Sequence, residues 1–220
     1  MKLKKKSGLI SAVIALSCAS IVSVGFASWV ISQGDEKAVS GTMVADTVSN
    51  QVHTLTLQWV TDATGATPLG SNPVVTFGHP ATMNASNAWL TNPDGPVEQL
   101  VFYLKVTCTN VNASNTIASV IAENPTVVAT DGQYADAFSA GLVAALPTAT
   151  KSATNFDANG SFVYTITFGW GTAFEGQNPY NYYNDGTKTA ISHGADAQTK
   201  LGNLNTYLAS AAFSITVVAA

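Results

Sequence analysis

Arginine is absent from the 220 residues, and charged side chains of either sign make up only 10% of them. All the basic residues are lysines, and Lys2, Lys4, Lys5 and Lys6 crowd the start. From Gly34 onward five lysines (Lys37, Lys105, Lys151, Lys188 and Lys200) stand against thirteen acidic residues, a net charge of −8. A body with that balance repels phosphate backbones and anionic lipid headgroups, which argues against nucleic-acid binding and electrostatic membrane docking. Cysteine is also scarce. Cys18 falls in the apolar start and Cys108 is the only one beyond it, so no disulfide can close within the body and packing must hold the fold. Cys108 is in phase with Leu100, Phe102, Leu104 and Val106 and reads as a buried core thiol.

Catalytic patterns are missing as well. His53, His79 and His193 are isolated, and none belongs to a His-Glu-x-x-His pattern that would set two zinc ligands on one helical face. No Gly-x-Ser-x-Gly elbow precedes a helix. Asp94-Gly95, Asp131-Gly132 and Asp185-Gly186 are turn formers before they are calcium ligands. The expectation is no enzyme and no cofactor, with a structural calcium site built from separate loops left open.

What is present begins with the uncharged run from Ser7 to Gln33 behind the four lysines. A basic start, an apolar middle and small residues at its end form an export signal, because the lysines stay inside while the apolar run enters the bilayer. Residues 1–33 are read as a signal peptide cut between 27 and 32, with Gly25 and Ala27 as small residues of one site. An uncleaved anchor stays open, since the run exceeds the roughly 18 residues that span a bilayer. A lipid-anchored Cys18 is disfavoured, because the leucine of Ala15-Leu16-Ser17 sits in the wrong place for the usual lipoprotein signal. The membrane is met only through this segment, signal peptidase is the partner during export, and the rest is expected outside the cell. The last strand carries no sorting motif or charged tail, so wall attachment through the C-terminus is not expected.

The remaining roughly 190 residues suffice for one domain. Threonine, valine, asparagine, glycine and alanine favour strands joined by tight polar turns, so residues 34–220 read as a single, mainly β, antiparallel β-sandwich. Period-two alternation predicts strands at Val52–Thr61, Val74–Phe77, Val97–Val111 (central in its sheet), Ser161–Gly171 and Phe213–Val218. A weaker strand is expected at Ala38–Val48, and short ones at Thr116–Glu123 and Thr126–Thr130. Tyr134–Leu146 suits either a helical face (Ala135, Phe138, Leu142, Ala145) or a strand, and the strand is preferred. Ala197, Leu201, Leu204 and Leu208 set an amphipathic helix over Ala195–Ala209. Gly78–Pro96 reads as a long surface loop with Trp89 and Leu90 tucked inward. Asn178 to Asn184 reads as a second loop carrying Tyr180, Tyr182 and Tyr183. Tyrosines beside asparagines stack on sugar rings or cap the open end of a core, and capping is the more common use.

Gly25-Phe26-Ala27-Ser28-Trp29, followed by Ala38-Val39-Ser40-Gly41-Thr42-Met43, resembles the start of exported proteins with a SipW-type signal, the TasA and camelysin family of Gram-positive biofilm matrix proteins. The Trp-Gly…Phe…Asn-Pro…Tyr-Tyr pattern of residues 170–183 is similar to other exported proteins with that signal type. The resemblance implies a jelly-roll sandwich, with the signal as an N-terminal helix, that self-associates into extracellular fibres by lending an N-terminal strand to the next subunit. Ala38, Val39, Ser40, Gly41, Thr42, Met43 and Val44 are the donor-strand candidates. A metalloprotease activity, sometimes attributed to camelysin-like proteins, has no support in these residues. Two functions follow: a structural subunit of a biofilm matrix or surface fibre assembled by strand exchange, or a monomeric adhesin, secreted or anchored, binding glycans through Trp89 or Tyr180, Tyr182 and Tyr183.

Overall fold

The computed structural model describes residues 36–48, 53–80, 99–184, 191–208 and 211–220. The leader, its cleavage site, Trp89 and residues 81–96 of the long loop lie outside these. Among the described residues the elements run β1 (Glu36–Val48), β2 (Leu55–Val60), β3 (Val74–Pro80), β4 (Gln99–Cys108), β5 (Val128–Ala129), α1 (Gln133–Ser139), β6 (Thr150–Lys151), β7 (Ser161–Gly169), α2 (Pro179–Asn184), α3 (Ile191–Leu208) and β8 (Phe213–Val218). They make a mainly β protein of two four-stranded sheets, ordered β3-β1-β8-β5 and β2-β4-β7-β6. Every pairing is antiparallel except β1 with β8.

The period-two pattern decides which faces meet. On β4, Phe102, Leu104, Val106 and Cys108 are buried, and on β7 so are Phe162, Tyr164, Ile166 and Phe168. Opposite them lie Val75 and Phe77 of β3, Met43 of β1, and Phe213, Ile215 and Val217 of β8. The sheets lock through edge-to-face rings: Phe77 on Phe168 at 6.0 Å and Phe168 on Phe213 at 5.2 Å between centroids. Such pairs add roughly 0.5–1.5 kcal/mol each beyond the area they bury. β4 is central, between β2 and β7, as its two apolar faces predict.

Val163 is buried although it faces outward on β7, because the turn after β2 folds over the outer face of the sheet. Gly65 in that turn has φ 67°, and a Cβ there would lie 2.9 Å from the Val163 side chain, so both backbone and space require glycine. The Lys105 ammonium donates to the Gly65 carbonyl at 3.3 Å, and Trp59 Nε1 donates to Asn72 Oδ1 at 2.9 Å. At the turn into β7, Asp157 accepts from the Asn159 and Ser161 amides at 2.8 and 2.9 Å and from the Ser161 hydroxyl at 2.9 Å. Burial would raise its pKa, but the Ser161 and Asn159 hydrogen bonds and the charge of Lys105 outweigh that and hold it below the ordinary carboxylate value.

Three expectations need correction. Tyr134–Leu146 is not a strand throughout: Gln133–Ser139 is helix α1. Gly141, at φ 72°, ends it with a Schellman motif, in which the Gly141 amide donates to the Phe138 carbonyl and the Leu142 amide to the Ala137 carbonyl. Tyr134 and Ala137 face the core, while Ala135 and Phe138 are exposed. The stretch then extends, with Val143 bridging Trp170. Thr116–Glu123 holds a single 3-10 turn, Ile117–Ser119, because the Thr116 hydroxyl accepts the Ser119 amide. The tyrosines of residues 180–183 are on helix α2, not a loop: the Asn178 side chain accepts the Tyr180 amide at 2.8 Å and Pro179 takes the first helical position. The predicted face of α3 is as read, with Ala197, Leu201, Leu204 and Leu208 all buried.

Candidate functional site

β1 is staggered across its sheet. Its first half pairs antiparallel with β3, from Glu36 opposite Pro80 to Thr42 opposite Val74. Its second half pairs parallel with β8 on the other side, from Met43 opposite Phe213 to Val48 opposite Val218. The donor-strand candidates Ala38 to Val44 therefore straddle the point where β1 changes partner. Met43 sits at that point, fully buried, with its amide donating to the Pro73 carbonyl at 3.2 Å. Val44 points outward and is 45% exposed. Across the outer face it lies in one row with Ser214 of β8 and Val128 of β5.

A parallel pair cannot be closed by a hairpin. Here the β1 and β8 partners are separated by nearly the whole body, so the seat of β1 is built by strands remote from it in sequence. The local alternation of Ala38–Val48 gives no sign of this.

The tyrosine candidates form a second cluster. Tyr183 is buried, its hydroxyl donating to Asp196 Oδ2 at 2.7 Å. Tyr182 meets the Tyr183 ring at 4.8 Å and the Phe174 ring at 5.8 Å, both edge-on. Lys200 bridges the group: its ammonium lies 2.9 Å from Asp196 Oδ2, donates to the Ala173 carbonyl at 3.1 Å, and stands 5.3 Å from the Tyr182 ring centre. Burial, with the Asp196 hydrogen bond and charge, pushes the Tyr183 phenol far above its ordinary value. Tyr180 is half-buried against the core. The structure thus brings Tyr182 and Tyr183 together as packing between α2 and α3, with Tyr180 against the core.

A third feature went unread in the sequence. A groove of about 640 Å³ opens beside the C-terminal end of α1, lined in part by Phe138, Trp170 and Glu175. Trp170 and Gly171 form one wall, and no local pattern joins them to Phe138.

Cys108 is buried, and burial raises its thiol pKa, which leaves it a poor nucleophile. Among the described residues no three His, Cys, Asp or Glu side chains cluster to hold a metal, and no helix is long and apolar enough to cross a membrane. No protein-family model, curated protein or solved structure matches the chain.

Proposed function

We propose that this protein is an extracellular structural subunit of a surface fibre or biofilm matrix, of the TasA and camelysin kind, which assembles by passing β1 to a neighbouring subunit. The observation that carries the reading is the seat of β1. It is held by two backbone ladders on opposite sides and by the buried side chain of Met43. A second copy's β1 offers the same amides, carbonyls and methionine, so exchange conserves the interactions and leaves the balance to closure entropy and concentration. The two facing four-stranded sheets support the jelly-roll-like form, with the parallel β1–β8 pair as its departure from an all-antiparallel sheet. Export by the cleaved leader, a single domain over 34–220 and a structural rather than catalytic role belong to the same proposal. The adhesin reading has less support, since Tyr182 and Tyr183 are engaged in packing.

The test is a reversible lock. Val44 and Ser214 are opposed in the β1–β8 register, and strands about 4.8 Å apart bring their Cα atoms within disulfide range. In the exported protein, Val44→Cys with Ser214→Cys, oxidised as monomer, should fail to form filaments in electron micrographs and should assemble once reduced. Re-oxidised filaments should then run as covalent ladders on a non-reducing gel. Filaments from the locked monomer, only intrachain bonds in re-oxidised filaments, or no filaments in any state would reject strand exchange.

A further inference from the structure

We infer that Tyr183, Asp196 and Lys200 form a clasp over the seat of β1, and that its opening governs how fast β1 is released. Strand exchange is the process it regulates, so its use rests on that reading, while its hold on β1 is measurable in the monomer alone.

The earlier half of β1 has β3 along one side, with Val39 opposite Phe77. On the other side β8 begins only opposite Met43 and runs parallel from there. α3, which leads into β8, packs against β1. β1 thus has β3 and α3 as its walls. α2 packs against β3. Its Tyr183 hydroxyl donates to Asp196 Oδ2 of α3 at 2.7 Å, so this one short helix joins the two walls. Release of β1 requires the walls to part, and α2 bridges them.

Asp196 is the hub. The same Oδ2 holds the Lys200 ammonium at 2.9 Å, and Lys200 donates in turn to the Ala173 carbonyl at 3.1 Å, in the 3-10 turn Thr172–Phe174 that follows β7. Rings carry the fastening inward. Phe174 meets Tyr182 at 5.8 Å and Trp170 at 5.8 Å, and Trp170 meets Phe77, the partner of Val39, at 5.6 Å.

Water competes for the polar part first. The Asp196 side chain is 41% exposed and that of Lys200 25%, whereas Leu201, Leu204 and Leu208, further along α3, are buried. With six residues α2 is too short to persist as a helix once undocked. Loss of the Asp196 contacts therefore frees α2 and lets α3 move from β3 in a local opening, short of global unfolding. A cap that merely covered the end of the core would protect every strand alike. A clasp on the walls of one strand protects that strand first.

Hydrogen exchange by mass spectrometry on the exported monomer decides between them. In Asp196→Ala, which removes both charge-assisted contacts, peptides covering β1 should exchange about tenfold faster or more, while those of β4 and β7 change by less than about threefold. Lys200→Met and Tyr183→Phe each remove one arm and should give smaller rises, of about threefold, in the same place. They carry the test if circular dichroism shows the alanine variant unfolded. Filament growth, followed by light scattering, should quicken in the same order. Unchanged β1 exchange in the folded variants, β1 and β4 rising together, or parent filaments growing as fast as those of the variants would overturn the inference. Raised exchange in β1 alone, with no filaments from parent or variants, would reject strand exchange and uphold the clasp.

Discussion

Replacing Met43 by alanine tests the seat of β1 directly. The side chain is fully buried opposite Phe213. Truncation removes three heavy atoms, at about 0.8 kcal/mol for each buried methylene equivalent, or roughly 2.4 kcal/mol. The cavity left behind adds to this, and buried methionines cost about 2–5 kcal/mol when cut to alanine, so about 3 kcal/mol is expected. With a urea dependence of about 2 kcal/mol per molar, the unfolding midpoint should fall by roughly 1.5 M. The control lies one residue away. Val44 is on the outer face, so Val44→Thr should stay within about 0.5 kcal/mol of the parent. A strand has period two, and a slip of one residue would exchange the two outcomes. A midpoint unmoved by Met43→Ala, or an equal loss from Val44→Thr, would refute the register on which the exchange proposal stands.

Two further substitutions probe the core and its edge. The Tyr164 hydroxyl is buried with no hydrogen-bond partner among the described residues, and burial pushes its pKa up to about 12. Tyr164→Phe should therefore leave chemical stability unchanged or raise it, by up to about 1 kcal/mol. It should also lessen the loss of stability above about pH 10, because a phenol with a raised folded pKa contributes stability below its unfolded value that fades as pH rises. A loss above 1 kcal/mol in urea would show that the hydroxyl has a partner. Asp157 has a depressed folded pKa, so its contribution is complete above the unfolded value of about 3.9 and is lost as pH falls through the folded one. Asp157→Asn should lower stability at pH 7 by about 1–2 kcal/mol and flatten the acid limb of the stability curve, read by circular dichroism. An acid limb as steep as the parent's would assign it to other carboxylates.

The local periodicities were enough for β4, β7 and β8 and for the buried face of α3, because alternation and helical spacing depend only on neighbours within a few residues. The buried state of Cys108 followed from the same phase. Two of the corrected stretches carry local signals of their true form. Asn178-Pro179 is an N-cap followed by a first-turn proline, and it makes a helix of the three tyrosines. Gly141 closes a Schellman motif, so the stretch around it is helix before and extended after.

By itself the sequence determined the class of structure, mainly β and held without disulfides, since composition and alternation act on each segment separately. Only the tertiary structure decided that β1 pairs with β3 on one side and runs parallel to β8 on the other, because pairing between remote strands depends on which edges the rest of the chain leaves open. The groove is of the same origin. Phe138 ends α1 while Trp170 and Glu175 follow β7, and the nearness of those two segments is a property of packing that no short window along the chain contains.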